Sequence, residues 1–358
     1  VLYLTEPGSR LHKADGRLIV RKGDEILEEI PLIHVEQVVL VGRGVGLTTA
    51  ALHALMRRGV DVVFLSGSGA YVSRIVGREH GLSRLRYQQA LAVGRPAFAL
   101  PVARAVVYAK VHNQRILLLR HGERERRLRR PIRDLTAMLE RIRGADSLER
   151  LRGLEGQSAH LYFSGLRLLI HPPADGRDWD FRERAYHPPP DPVNALLSLA
   201  YTLLLKEMIA ACQMTGLDPA LGFFHVLDYA RPSLALDLME PFRPLVGDAV
   251  TLYALNRPLV HLADFERRAI SGGSAPSGGE SASRGAPEGR APSGRGFYLK
   301  AGPRRQFLSL YENRMLEKVA YPSGGGRTSY RRVLRLQAEA LARCILENEP
   351  NFEAFTVR

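Results

Sequence analysis

Gly222-Phe223-Phe224-His225, followed by Arg231-Pro232-Ser233-Leu234-Ala235-Leu236-Asp237-Leu238-Met239-Glu240-Pro241-Phe242-Arg243-Pro244, concentrates a histidine, two acids and two arginines in an otherwise apolar window. Asp237 and Glu240 are three apart and share a face of a helix, while Leu234, Leu236, Leu238 and Met239 give that helix apolar surface on which to pack. Carboxylates set against a core need a positive partner, a metal ion or an arginine. The window therefore predicts a packed helix whose charged groups have work beyond solvation.

Outward from this window the texture stays helical. Amphipathic stretches run over Leu85 to Val93 and Val102 to Leu119, and a last helix is expected near Thr328 to Leu346 with Thr328 as its N-cap. Pro188-Pro189-Pro190-Asp191-Pro192 reads as a rigid lead into a helix carrying Asn194, Leu197 and Tyr201. Between Arg115 and Arg152 arginines are dense, and two readings stay open there: a solvated charged helix or a phosphate-binding face. Residues 271–296 are low complexity, 17 of 26 being Gly, Ser or Pro, and are expected to form a disordered insert in a continuing helical pattern.

Before Gly81 the pattern is different. Short strand-like runs, including Arg17 to Val20, Gln37 to Val41 and Asp61 to Leu65, are separated by turn residues such as Asp15-Gly16, with one helix from Thr48 to Arg58. The expectation is an α+β chain: a mostly β domain over residues 1–80 and a helical domain over residues 81–358.

The chain has 358 residues, with 51 Lys plus Arg against 37 Asp plus Glu, a formal charge of +14 and a pI near 10.1. Such an excess attracts polyanions, nucleic acid first and anionic membrane second. No run of about 18 apolar residues is present and the N-terminus lacks signal-peptide order, so the expected location is the cytoplasm, with no membrane partner. Cys212 and Cys344 are far apart and outside any C-x-x-C pattern, which argues against a disulfide framework, a zinc knuckle or an iron–sulfur cluster. The chain starts at Val1, leaving open a fused segment upstream.

A third acid joins the window: Glu155, with Gly153 and Gly156 close by, which leave room for close approach to its carboxylate. Glu155, His225 and Glu240 together offer two carboxylates and an imidazole nitrogen, a donor set for Mg²⁺ or Mn²⁺, the nitrogen tilting it toward Mn²⁺. Arg231 and Arg243 could neutralise phosphate charge beside such an ion, and the chemistry described is phosphoryl transfer. The plainer readings are a capping role for Glu155 and a hydrogen-bonded loop role for His225. G-x-x-x-x-G-K-[ST], G-x-S-x-G and H-E-x-x-H are all absent, which removes nucleotide-loop, serine-hydrolase and zinc-protease signatures.

Six ordered motifs resemble the CRISPR-associated integrase family, the catalytic subunit of the spacer-acquisition complex. They are Leu2-Tyr3-Leu4-Thr5, Leu154-Glu155-Gly156, Pro188 to Leu197, the His225 segment, Asp237 to Pro244, and Ser329-Tyr330-Arg331-Arg332. The resemblance implies an N-terminal β-sandwich-like domain that mediates a homodimer, followed by a larger all-α catalytic domain. It implies metal ligands at Glu155, His225 and Glu240, with Asp237 as a further catalytic acid and Arg231 and Arg243 as nucleic-acid-binding residues. Implied partners are DNA fragments with 3′-hydroxyl ends, the CRISPR leader–repeat, and a small ferredoxin-like adaptation protein that completes a heterohexamer. The implied reaction is transesterification, the 3′-hydroxyl attacking a phosphodiester at the repeat. A stand-alone structure-specific repair nuclease and a non-catalytic DNA-binding scaffold are the alternatives.

Overall fold

A computed structural model describes every residue except 68–70, 76–82, 122–124, 174–175, 186–187, 270–294 and 323–325. The chain divides into two units, Val1–Leu82 and Ser83–Arg358.

The first unit contains strands β1 (Leu2–Leu4), β2 (Ser9–Ala14), β3 (Arg17–Lys22), β4 (Glu25–Pro31), β5 (Gln37–Val41), β6 (Gly46–Leu47), β7 (Asp61–Leu65) and β8 (Tyr71–Ile75), with helix α1 (Thr49–Arg57) before β7. One sheet has the order β4-β3-β2-β6 and the other β1-β5-β7-β8. Asp15 and Gly16 both have positive φ, as a two-residue hairpin between β2 and β3 requires. β5 pairs in parallel with both β1 and β7, and all five of its residues are buried, which is why it reads as an unbroken Val-rich run instead of an alternating one. Leu11, Leu18 and Val20 of one sheet join Leu2, Val38, Leu40 and Val62 of the other and Leu55 of α1 in a single apolar cluster. The unit is thus mixed: the α1 crossover lets parallel strands form in what the sequence presented as mostly β.

The second unit carries α2 (Ser83–Val93), α3 (Pro96–His121), α4 (Arg129–Arg143), α5 (Leu148–Leu169), α6 (Pro192–Met214), α7 (Ser233–Met239), α8 (Ala249–Asn256), α9 (Ala301–Leu316) and α10 (Tyr330–Glu347). α3, α4 and α5 share an apolar core built on Val107, Val111, Leu118, Leu135, Leu139, Leu154 and Leu166. α6 is long and apolar enough to cross a membrane, yet nearly every residue from Pro192 to Cys212 is buried in the protein, the place of a core helix. Asp191 caps it, its carboxylate accepting from the Asn194 backbone N–H at 2.8 Å.

Three expectations need correction here. The unit is not all-α: β9 (Phe265–Ala269) pairs with β10 (Arg295–Leu299), and β11 (Lys318–Ala320) with β12 (Arg327–Ser329). The insert expected at residues 271–296 ends earlier, since Arg295 and Gly296 belong to β10, while residues 271–294 lie outside the described ones. Gly296 is there for close approach: a Cβ on it would stand 2.9 Å from Pro188 Cβ. Thr328 lies in β12, and Ser329 caps α10 instead, accepting from Arg332 N at 3.3 Å.

Beyond α7 the backbone does not continue as an α-helix. Glu240–Phe242 form a tight 3₁₀ turn, Arg243–Asp248 a wide π turn, and α8 follows. Pro241 and Pro244 each remove a backbone donor and crowd the preceding turn, so a regular helix cannot pass through them. The irregular stretch swings Glu240, Arg243 and Asp248 into the interior.

Candidate active site

Local order starts at Asp237, which is 1% exposed. Its carboxylate accepts from three successive backbone N–H groups, Phe223 at 2.6 Å, Phe224 at 2.9 Å and His225 at 2.9 Å, and from the His225 ring at Nδ1, 2.6 Å away. One acid thus folds the loop before α7 and orients the imidazole. A carboxylate can only accept, so Nδ1 carries a proton and Nε2 is left as the ring nitrogen available to another partner. Nε2 points toward Glu240, 4.0 Å from Oε1. Gly222 makes the wrapping possible, because a Cβ there would come within 2.6 Å of the Ser233 carbonyl carbon and 2.8 Å of Asp237 Oδ2. From α5, Arg152 donates to the Phe224 carbonyl at 3.0 Å and closes the same loop from the other side.

α3 and α5 supply the rest. Lys110 of α3 places Nζ 2.5 Å from Glu155 Oε1 and 2.6 Å from Glu240 Oε2, so two acids far apart in sequence meet on one nitrogen. Arg243 approaches Glu240 Oε1 with Nε at 3.1 Å, its guanidinium stacked over the Tyr201 ring at 4.6 Å. Burial raises the cost of charge on Glu240, but Arg243, Lys110 and His225 outweigh it and hold its carboxyl below the ordinary range. These contacts to Glu240 are close but poorly directed, and neither of its buried oxygens takes a well-angled hydrogen bond.

Behind Arg243 a second buried acid, Asp248, accepts from the hydroxyls of Tyr162 at 2.5 Å and Tyr201 at 2.6 Å. Burial pushes its carboxyl up to about 6 despite those bonds. Asn113, one helical turn beyond Lys110, donates to the carbonyls of Pro241 and Phe355 and accepts from Val357 N, tying the Glu240 turn to the C-terminal segment.

The structure brings Glu155, His225, Glu240 and Arg243 together. Asp237 is buried beside them, with both oxygens bonded to the loop and the ring. Arg231 stays apart from the carboxylate pair: it is half-buried near Asp228 and Asp237, burial opposing its charge, with Nε lacking a hydrogen bond among the described residues. Glu155 lies well inside α5 and so is no capping group. Lys110, Asn113, Arg152 and Asp248 were not singled out from sequence. For Lys110 the available hint was the single lysine of the Val102 to Leu119 run, which also holds Arg104 and Arg115.

Among the described residues no three His, Cys, Asp or Glu side chains form a ready-made metal cage, and Lys110 stands between the two glutamates. The donor chemistry nonetheless fits a divalent cation. Two carboxylates already share one cation, Glu240 has buried lone pairs without directed bonds, and with Nδ1 held by Asp237 the ring nitrogen of His225 that faces Glu240 is Nε2, the one a metal would take in place of a proton.

Two solved structures share its fold over 99% of the chain. A casposase bound to integration product superposes with a TM-score of 0.79 at 21% identity, over 99% of this chain and 94% of that one. A chain of a Cas6-RT-Cas1–Cas2 complex gives a TM-score of 0.78 at 24% identity, over 99% of this chain and 36% of that longer one. In sequence the chain is similar to the protein named CRISPR-associated endonuclease Cas1 3 of Thermus thermophilus, 37% identical over 361 residues, all of this chain and 97% of the relative. The family model described as CRISPR associated protein Cas1 matches residues 2–274. The chain belongs to the Cas1 family.

Proposed function

We propose that this protein is a metal-dependent DNA integrase of CRISPR adaptation, joining the 3′-hydroxyl end of a captured DNA fragment to a phosphodiester of the repeat by transesterification. The meeting of Glu155, Glu240 and the Nε2 side of His225 around one point in a Cas1-family chain carries this reading. The curated relative's name, an endonuclease, and the casposase's bound integration product support it.

Glu155, His225 and Glu240 would hold the Mg²⁺ or Mn²⁺. When bound, such an ion stabilises charge on the attacked phosphate and on the entering and leaving oxygens. The protein's own part is alignment. Asp237 fixes the ring and its loop, Arg243 sets Glu240, and Asn113 ties down the turn on which Glu240 rides. Arg231, half-buried with its charge at the same loop, suits contact with a phosphate oxygen. One phosphodiester replaces another, so no external energy source is needed. The DNA partner fits the charge of +14. A homodimer through the first unit, and a small ferredoxin-like partner in line with the Cas1–Cas2 composition of a fold neighbour, complete the proposal.

The test is product type. The chain, its small partner, Mn²⁺, a fragment with 3′-hydroxyl ends and a supercoiled plasmid bearing a repeat should yield fragment covalently joined to plasmid. Nicked plasmid without joining would favour a repair nuclease, and no reaction alongside intact DNA binding would favour a scaffold.

A further inference from the structure

Lys110 is only 4% exposed and bridges the two glutamates, at 2.5 Å and 2.6 Å. Two carboxylates brought this close in the interior repel each other unless a cation lies between them. A divalent ion bonded to both oxygens, at about 2.1 Å from each, would need the space that Nζ fills, and would be repelled by the ammonium as well. Arg243 has no comparable freedom, its guanidinium being held over Tyr201. Lysine, by contrast, is a point charge on a flexible four-carbon stem that can withdraw without a change in the backbone.

We propose that Lys110 is a placeholder cation: it neutralises Glu155 and Glu240 in the metal-free protein, must leave the space between them for a divalent ion to bind, and so sets the metal affinity. The proposal rests on the reading of these glutamates as metal ligands. Linkage makes the effect reciprocal, because whatever the ammonium subtracts from ion binding, the ion subtracts from the lysine's hold on the glutamates.

The experiment titrates the full chain with Mn²⁺, following the free ion by electron paramagnetic resonance, for wild type, Lys110→Met and Lys110→Gln. Both variants should bind Mn²⁺ roughly tenfold more tightly than wild type. Both should also melt at a lower temperature without metal and gain more from added Mn²⁺. A lysine with a merely structural role would give equal or weaker binding when removed. Amine acetylation, quantified by peptide mass spectrometry on wild type, avoids any folding defect: Lys110 should be protected without Mn²⁺ and labelled faster with it. Wild type that binds Mn²⁺, with variants no tighter and Lys110 labelling unchanged, overturns the proposal and leaves the metal reading standing. If wild type and both variants bind no Mn²⁺, the metal reading itself fails and takes this proposal with it.

Discussion

Asp237 shows how one side chain can determine a loop and a ring at once. Four donors converge on its two oxygens, so Asp237→Asn would set an amide N–H against backbone N–H groups and release the ring proton from its acceptor. The expected result is a loss of about 10- to 100-fold in Mn²⁺ affinity, the range for a ligand's supporting carboxylate, measured by the same titration. An unchanged affinity would mean that His225 needs no such support. Asp248 gives a pH signature. Its folded carboxyl, raised to about 6, holds a proton that the unfolded chain has already lost, so stability falls as pH rises from about 4 to 6 and is level above. Asp248→Asn should flatten that slope, which unfolding midpoints across the interval would show; an unaltered slope would remove Asp248 as its source. Glu240 works in the opposite sense and at lower pH: its depressed carboxyl stabilises the fold above the ordinary carboxylate range, and that contribution is lost on acidification. At this scale the acids were legible, because Asp237 and Glu240 stand out in an apolar window. Their partners were not, since Lys110 and Glu240 meet through folding across more than a hundred residues and no local spacing encodes such a meeting.

Between residue and molecule, the irregular turn after α7 matters most. The three-residue spacing suggested that Asp237 and Glu240 share a helix face, and both do face the His225 ring, but helix α7 ends at Met239, and the prolines at 241 and 244 turn the chain beyond it. The prolines were visible; the 3₁₀ and π geometry they produce depends on what the turn packs against. Gly222 is the matching constraint on the loop. Gly222→Ala would drive a methyl group into the backbone at Ser233, and a loss of about 3 kcal/mol in urea unfolding is expected, at the upper end for overpacking. A change under about 0.5 kcal/mol would show that the loop has slack. The arginine-rich segment leaves more to test. Arg130 and Arg133 pair with Asp134, and Arg143 with Glu140, yet all three arginines remain largely exposed, where ion pairs contribute little and phosphate can compete. Arg130→Ala with Arg133→Ala should weaken binding to duplex DNA and lower the dependence of log K on log salt by about 0.9 per lost contact. An unchanged slope would assign these residues to a solvated face.

For the whole molecule, the shift in texture near residue 81 and the division between Val1–Leu82 and Ser83–Arg358 express the same physics: short buried runs with tight turns before it, long amphipathic helices after it. The parallel pairing of β5 and the two antiparallel strand pairs of the second unit were not legible, since a buried apolar run does not reveal strand direction and β11 and β12 are only three residues each. The site lies wholly in the second unit, where α3, α5 and the turn after α7 bring Lys110, Glu155 and Glu240 to one point. The proposed function requires that Glu155, His225 and Glu240 hold one divalent ion for chemistry on DNA. Anomalous diffraction from crystals of the chain soaked in Mn²⁺ tests it most directly. A manganese peak bonded to carboxylate oxygens of Glu155 and Glu240 and to Nε2 of His225, with Lys110 withdrawn, is the predicted result; a soaked crystal with no peak there, or with manganese bound only elsewhere, would contradict it.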